Sequence, residues 1–81
     1  MTETDAATIL AEELRRIAPD IDPADIDRGG DLREEFDIDS MDFLTLVTAL
    51  GKRLDIPMPE ADYPLMESFD ALAAYLARQS G

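Results

Sequence analysis

Apolar positions recur at helical spacing in three stretches of the chain, and alternating strand spacing is not sustained anywhere. The first predicted helix runs from about Asp5 to Ala18. At about 100° per residue, Ala6, Leu10, Leu14 and Ile17 share one face, and Thr8, Glu12, Arg15 and Arg16 lie opposite. Thr2 or Thr4 can cap its start, Glu3 and Asp5 suit its positive end, and Pro19 stops it. A second helix is predicted over Ser40 to Leu54, with Asp39 as N-cap and Asp42 in its first turn. Phe43, Leu46, Val47, Leu50 and Leu54 form its inward face, and Pro57 and Pro59 prevent continuation. A last helix starts after Ser68 as N-cap and runs to about Gln79, with Phe69, Leu72, Ala73 and Leu76 inward.

Between these stretches the pattern changes. The segment from about Pro19 to Ile38 holds Pro23 and the Gly29-Gly30 pair, which mark a loop. A loop this long in a small domain needs a function or a tether. Ile21, Ile26, Leu32, Phe36 and Ile38 interrupt its polar run and are the expected tethers to the core. Glu60 to Met66 is expected to form at most a short helix, because Pro64 disturbs it. The expected fold class is therefore all-α. It is a small helical bundle of three longer helices and one short helix, with a long loop between the first two.

Composition narrows the chemistry. A chain of 81 residues suits one domain over 1–81, too small for a deep preformed active site beside its core. Cysteine and histidine are absent, which excludes disulfides, thiolate nucleophiles and Cys/His zinc sites, and removes the commonest general base. Thr-Glu-Thr-Asp follows Met1, unlike a signal peptide, and no apolar run approaches the ~20 residues of a membrane span. The expectation is a cytoplasmic protein without membrane insertion. Nineteen acidic against seven basic residues give a net charge of −12. Such a surface repels nucleic acid and attracts basic protein surfaces, besides favouring solubility.

The second helix carries more apolar surface than a core needs. Met41 and Leu44 point away from the Phe43 face, together with Thr48, in a stripe that begins beside Ser40. Met41 and Leu44 either cover loop residues such as Ile38 or form a docking stripe for a partner. Ser40 is either a plain capping residue or a modified one. A helix N-terminus favours a bound phosphate, while the flanking Asp37, Asp39 and Asp42 suit a basic enzyme or that enzyme's metal ion. No His or Lys stands beside Ser40 to activate it, so any modification must be the work of another protein.

The string Phe36-Asp37-Ile38-Asp39-Ser40-Met41-Asp42-Phe43-Leu44-Thr45-Leu46-Val47 resembles the phosphopantetheine attachment site of acyl carrier proteins. The resemblance extends over nearly the whole chain, including the order of helices and the Ile56-Pro57-Met58-Pro59 break. It implies that Ser40 takes a 4′-phosphopantetheine arm from coenzyme A, as a phosphodiester whose thiol carries acyl groups as thioesters. It implies a carrier rather than an enzyme. The partners would be a phosphopantetheinyl transferase and the acyl-loading and acyl-processing enzymes of fatty-acid, polyketide or related lipid synthesis. The carrier itself is expected as a monomer. By the same resemblance Asp37, Asp39, Met41, Asp42, Leu44, Thr48 and Lys52 are partner-recognition positions. Phe43, Val47, Leu50, Tyr63, Met66 and Phe69 are candidates for lining an acyl cavity, or are simply core.

Three features depart from that family. Asp37 stands where Gly is usual, though Asp tolerates left-handed backbone. The later turns of the second helix carry Thr45, Gly51, Lys52 and Arg53 instead of a run of acids, which points to a dedicated pathway. Pro64 shortens the third helix. Peptidyl carriers place Gly-Gly close before the serine, whereas Gly29-Gly30 is far from Ser40, so an acyl cargo is favoured over an aminoacyl one. An EF-hand reading of Asp20 to Asp31 fails, because Ala24 and Asp25 fall where a ligand and Gly belong, and Asp31 replaces the final Glu. An unmodified acidic interaction domain is the remaining rival, and no metal site is expected.

Overall fold

The computed structural model describes residues 1–80. Helix α1 spans Glu3–Ile17, α2 Leu32–Glu35, α3 Ser40–Leu54 and α4 Phe69–Ser80. Two 3-10 segments, Pro23–Asp25 and Glu60–Met66, lie between them. No strand occurs among the described residues.

Helix α1 begins two residues earlier than its periodicity predicts, because Thr2 builds a full capping box. The Asp5 N–H donates to Thr2 Oγ1 at 3.1 Å, and the Thr2 N–H donates to the Asp5 carboxylate at 3.3 Å. Two backbone donors are satisfied at once, which favours Thr2 over Thr4 as the cap. Helix α3 has the predicted bounds, and α4 starts after Ser68, whose Oγ accepts from the Ala71 N–H at 3.0 Å.

The helices pack on one core. Leu10 and Leu14 of α1, Leu46 and Leu50 of α3, and Leu72 and Leu76 of α4 are completely buried. The predicted tethers do their part: Leu32, Phe36 and Ile38 join the core, and Ile21 and Ile26 pack against it. Arg53 of α3 crosses to α1, 2.6 Å from a Glu12 carboxylate oxygen and 3.9 Å from the buried Glu13.

The long connection contains a helix that its hydrophobic pattern does not reveal. Asp31 caps α2 by accepting from the Arg33 N–H at 2.9 Å. At the other end, the Ile38 N–H returns to the Arg33 carbonyl at 2.9 Å and the Asp37 N–H to the Glu34 carbonyl at 3.3 Å. Asp37 is left-handed, with φ of 51°. This is a Schellman ending, with Asp37 at the left-handed position and the buried Ile38 after it. The connection is also tied down at both sides. The Leu32 N–H donates to the Glu67 carbonyl at 2.7 Å, and Arg28 pairs with Asp70 at 2.7 Å while lying over the Phe69 ring.

The segment Glu60–Met66 keeps 3-10 geometry throughout, with Pro64 inside it. Tyr75 of α4 fastens it: the phenol donates to Asp62 Oδ2 at 2.7 Å and lies 3.4 Å from the Pro57 carbonyl oxygen. The chain leaves α3 through Asp55, also left-handed at φ 53°, and the Ile56 N–H closes the helix on the Gly51 carbonyl at 3.1 Å. The return is close: a Cβ on Gly51 would stand 3.2 Å from the Ile56 carbonyl oxygen.

Candidate functional site

Ser40 is the first residue of α3, and the capping task falls to its neighbour. Asp39 Oδ1 accepts from the Asp42 N–H at 2.9 Å, and the Asp39 carbonyl accepts from the Phe43 N–H at 3.0 Å. The Ser40 hydroxyl is therefore not consumed as a cap. It is exposed at the positive end of a 15-residue helix, and the Ser40 and Met41 amides have no protein acceptor among the described residues.

The side chain that meets Ser40 is Arg33 of α2, whose guanidinium donates to Ser40 Oγ at 3.5 Å. A guanidinium gives protons to hydrogen bonds and takes none, so it leaves the hydroxyl without a general base. The turn explains the contact. Three residues separate the end of α2 from Asp39, and the left-handed Asp37 folds α2 back against the start of α3. Arg33 was not among the residues singled out from the sequence. The pattern Asp31-Leu-Arg-Glu34, a capping acid followed by Glu three residues later, is the signal that marks its helix.

The partner-recognition candidates lie together on one side of α3. Met41 is 77% exposed and Leu44 53%, so both present most of their surface to solvent, while Ile38 is buried. Thr48 and Lys52 continue the exposed stripe, and Asp39 and Asp37 stand at its start. Asp42 is half-buried in the first turn. Arg53 faces α1 instead, in the ion pairs described above, so Lys52 is the cation left on the stripe.

The cavity candidates divide into three groups. Phe43, Tyr63 and Met66 line a cleft of ≈150 Å³ with Leu32, Pro64 and the charged residues Asp31, Arg33 and Glu67. Phe43 and Tyr63 meet edge to face, centroids 5.4 Å apart, and Arg33 lies 5.7 Å from the Phe43 centroid. Val47 lines a separate shallow groove with Leu44, Thr48, Lys52 and Tyr63. Leu50 is core, and Phe69 lies across the bundle under Arg28, beside Ala7 and Ala11 of α1. The structure therefore brings Phe43, Tyr63 and Met66 together and leaves Leu50 and Phe69 outside the cleft.

A phosphate ester at the start of α3 suits this donor set. Two backbone amides, the helix dipole and one guanidinium are available, and no lid closes over Ser40. Among the described residues no cluster of His, Cys, Asp or Glu has the arrangement of a metal site, and no helix is long and apolar enough to cross a membrane. No curated protein matches the chain. The protein-family model described as phosphopantetheine attachment site matches residues 6–76, from the first core residue of α1 to the last of α4. With that match over most of its length, the chain belongs to the phosphopantetheine-attachment family, whose members carry a 4′-phosphopantetheine group as carrier proteins used by other enzymes.

Proposed function

We propose that the chain is a single acyl carrier domain over residues 1–81, with Ser40 as the residue that bears the arm. The observation that carries this reading is the uncapped, exposed Ser40 hydroxyl on the first turn of α3, since Asp39 does the capping. In the transfer, Ser40 Oγ forms a bond to the β-phosphorus of coenzyme A. The bond to the 3′,5′-adenosine bisphosphate leaving group breaks, and the hydroxyl proton goes to a base. With Arg33 as its contact, Ser40 has no base of its own, so the transferase supplies it. Asp37, Asp39 and Asp42 give that enzyme an acidic target, and Met41 and Leu44 give it apolar contact.

The cargo reading rests on the cleft. Leu32, Phe43, Tyr63, Pro64 and Met66 offer an acyl group an apolar wall, with Asp31, Arg33 and Glu67 completing the lining. Its ≈150 Å³ is comparable to a cavity that admits a benzene-sized guest, so the cleft matches a short acyl group in size. Lys52 and the absence of a continuous acidic run on α3 favour a dedicated lipid or polyketide pathway over general fatty-acid synthesis. Intact mass after incubation with coenzyme A, magnesium and a broad-specificity phosphopantetheinyl transferase tests the assignment. The arm is expected once, on the peptide containing Ser40, and Ser40→Ala is expected to fold and stay unmodified. The same mass gain on Ser40→Ala would overturn it.

A further inference from the structure

We propose that Arg33 holds the phosphodiester of the attached arm and fixes its root at the mouth of the Phe43–Tyr63–Met66 cleft. The inference rests on Ser40 as the attachment residue. Its starting point is an imbalance of charge. The chain has nineteen acids for seven bases, yet Arg33 lies within ion-pair distance of no carboxylate among the described residues. Its guanidinium instead touches the Ser40 hydroxyl at 3.5 Å, the atom to which the phosphate would be bonded.

The environment makes that cation matter. Asp37, Asp39 and Asp42 surround the start of α3 and repel a phosphodiester, while the helix dipole and two free amides attract it. Arg33 is the side chain in contact with Ser40 that can offset those acids. Its backbone is fixed from both ends, through Asp31 Oδ1 on its N–H and the Ile38 N–H on its carbonyl. The guanidinium is further steadied by the Phe43 ring, 5.7 Å away. A planar guanidinium can rest on a ring face and still present paired donors to phosphate oxygens, which an ammonium cannot do. Arg33 also lines the cleft, so a phosphodiester held there would start the arm beside Leu32, Phe43 and Tyr63, which share that lining with Asp31 and Glu67.

The test uses the full chain as wild type, Arg33→Lys and Arg33→Gln, each loaded by the transferase and checked by intact mass. The phosphorus NMR position of each holo-protein is compared with that of a phosphopantetheinylated peptide covering Phe36 to Phe43. The wild-type resonance is expected away from the peptide value, Arg33→Gln close to it, and Arg33→Lys between the two. Loading is expected to raise the melting temperature of the wild type more than that of Arg33→Gln, and added salt to narrow the gap. Because the melting comparison is between apo and holo forms of the same variant, any cost of losing the Phe43 contact cancels there. Full loading on Ser40 with the same phosphorus position and the same apo-to-holo change in all three proteins would overturn the role of Arg33 alone. Absence of added mass on Ser40 in the wild type would overturn both this inference and the attachment assignment.

Discussion

Asp37 and Asp55 occupy left-handed backbone, at φ of 51° and 53°, where a side chain is strained and Gly is the usual residue. Both follow a helix C-terminus, whose partial negative charge also disfavours an acid. The two differ in what comes next. Asp37 precedes the N-terminus of α3, where negative charge is welcome, whereas Asp55 is followed only by the Ile56–Pro59 loop. Asp55→Gly should therefore raise stability by about 1 kcal/mol, and Asp37→Gly by less. Urea unfolding with an unchanged m-value is the measurement, and a larger gain at Asp37 would contradict the charge argument. The same residue shows why part of the site could be read in the sequence. Asp37 was recognisable as an Asp in a Gly place that could still turn the chain. The contact it sets up could not be read, because Arg33 reaches Ser40 only once the left-handed turn has folded α2 onto α3.

The three long helices were legible because each has an apolar face of helical period and a capping residue at its start. Helix α2 shows no such face, because four residues are too few for a period and its apolar residues look like isolated tethers; the Asp31 to Glu34 capping pattern is its one sequence signal. The segment Glu60–Met66 was legible as short but not in its anchorage, which depends on Tyr75 across the bundle. Burial, and next the hydrogen bond to Asp62 with that carboxylate's charge, push the Tyr75 phenol up from 10.0 to about 12, with Arg78 pulling the other way. The folded state thus holds this proton more tightly than the unfolded chain does. The resulting stabilisation is complete below pH 10 and is lost as pH rises from 10 to about 12, at most about 3 kcal/mol in all. Tyr75→Phe should cost about 1–2 kcal/mol at neutral pH, by leaving Asp62 without its donor, and should flatten the alkaline fall in stability. Chemical denaturation at a series of pH values between 8 and 12 tests both points. An alkaline slope unchanged in the variant would show that Tyr75 is not its source.

At the scale of the molecule, a net charge of −12 is folded into a body of 30 × 24 × 20 Å. Its ion pairs, Arg28–Asp70 and Arg53 with Glu12 among them, leave most acids unmatched, so the compact state repels itself. Moderate salt or magnesium should raise the melting temperature, and indifference to ionic strength would refute the repulsion. The same charge distribution bears on partner choice. The exposed stripe of α3 is acidic at its Asp39 end and carries Lys52 between three and four turns later, with Met41, Leu44 and Thr48 between. Arg53 does not contribute, because its guanidinium is held by Glu12 and Glu13 of α1, and Arg53→Glu would set three acids together and weaken the fold. By the family resemblance, general fatty-synthase enzymes present basic surfaces to this helix. Lys52 would then face like charge, which discourages those enzymes and admits a partner with an acidic or neutral patch. Lys52→Glu alone should accelerate loading by general fatty-synthase enzymes, mainly through faster association, and the gain should shrink at high ionic strength. Loading kinetics of wild type and Lys52→Glu at two salt concentrations decide the matter. Equal rates in both proteins at low salt would show that Lys52 does not set partner choice, and would remove the main support for a dedicated pathway.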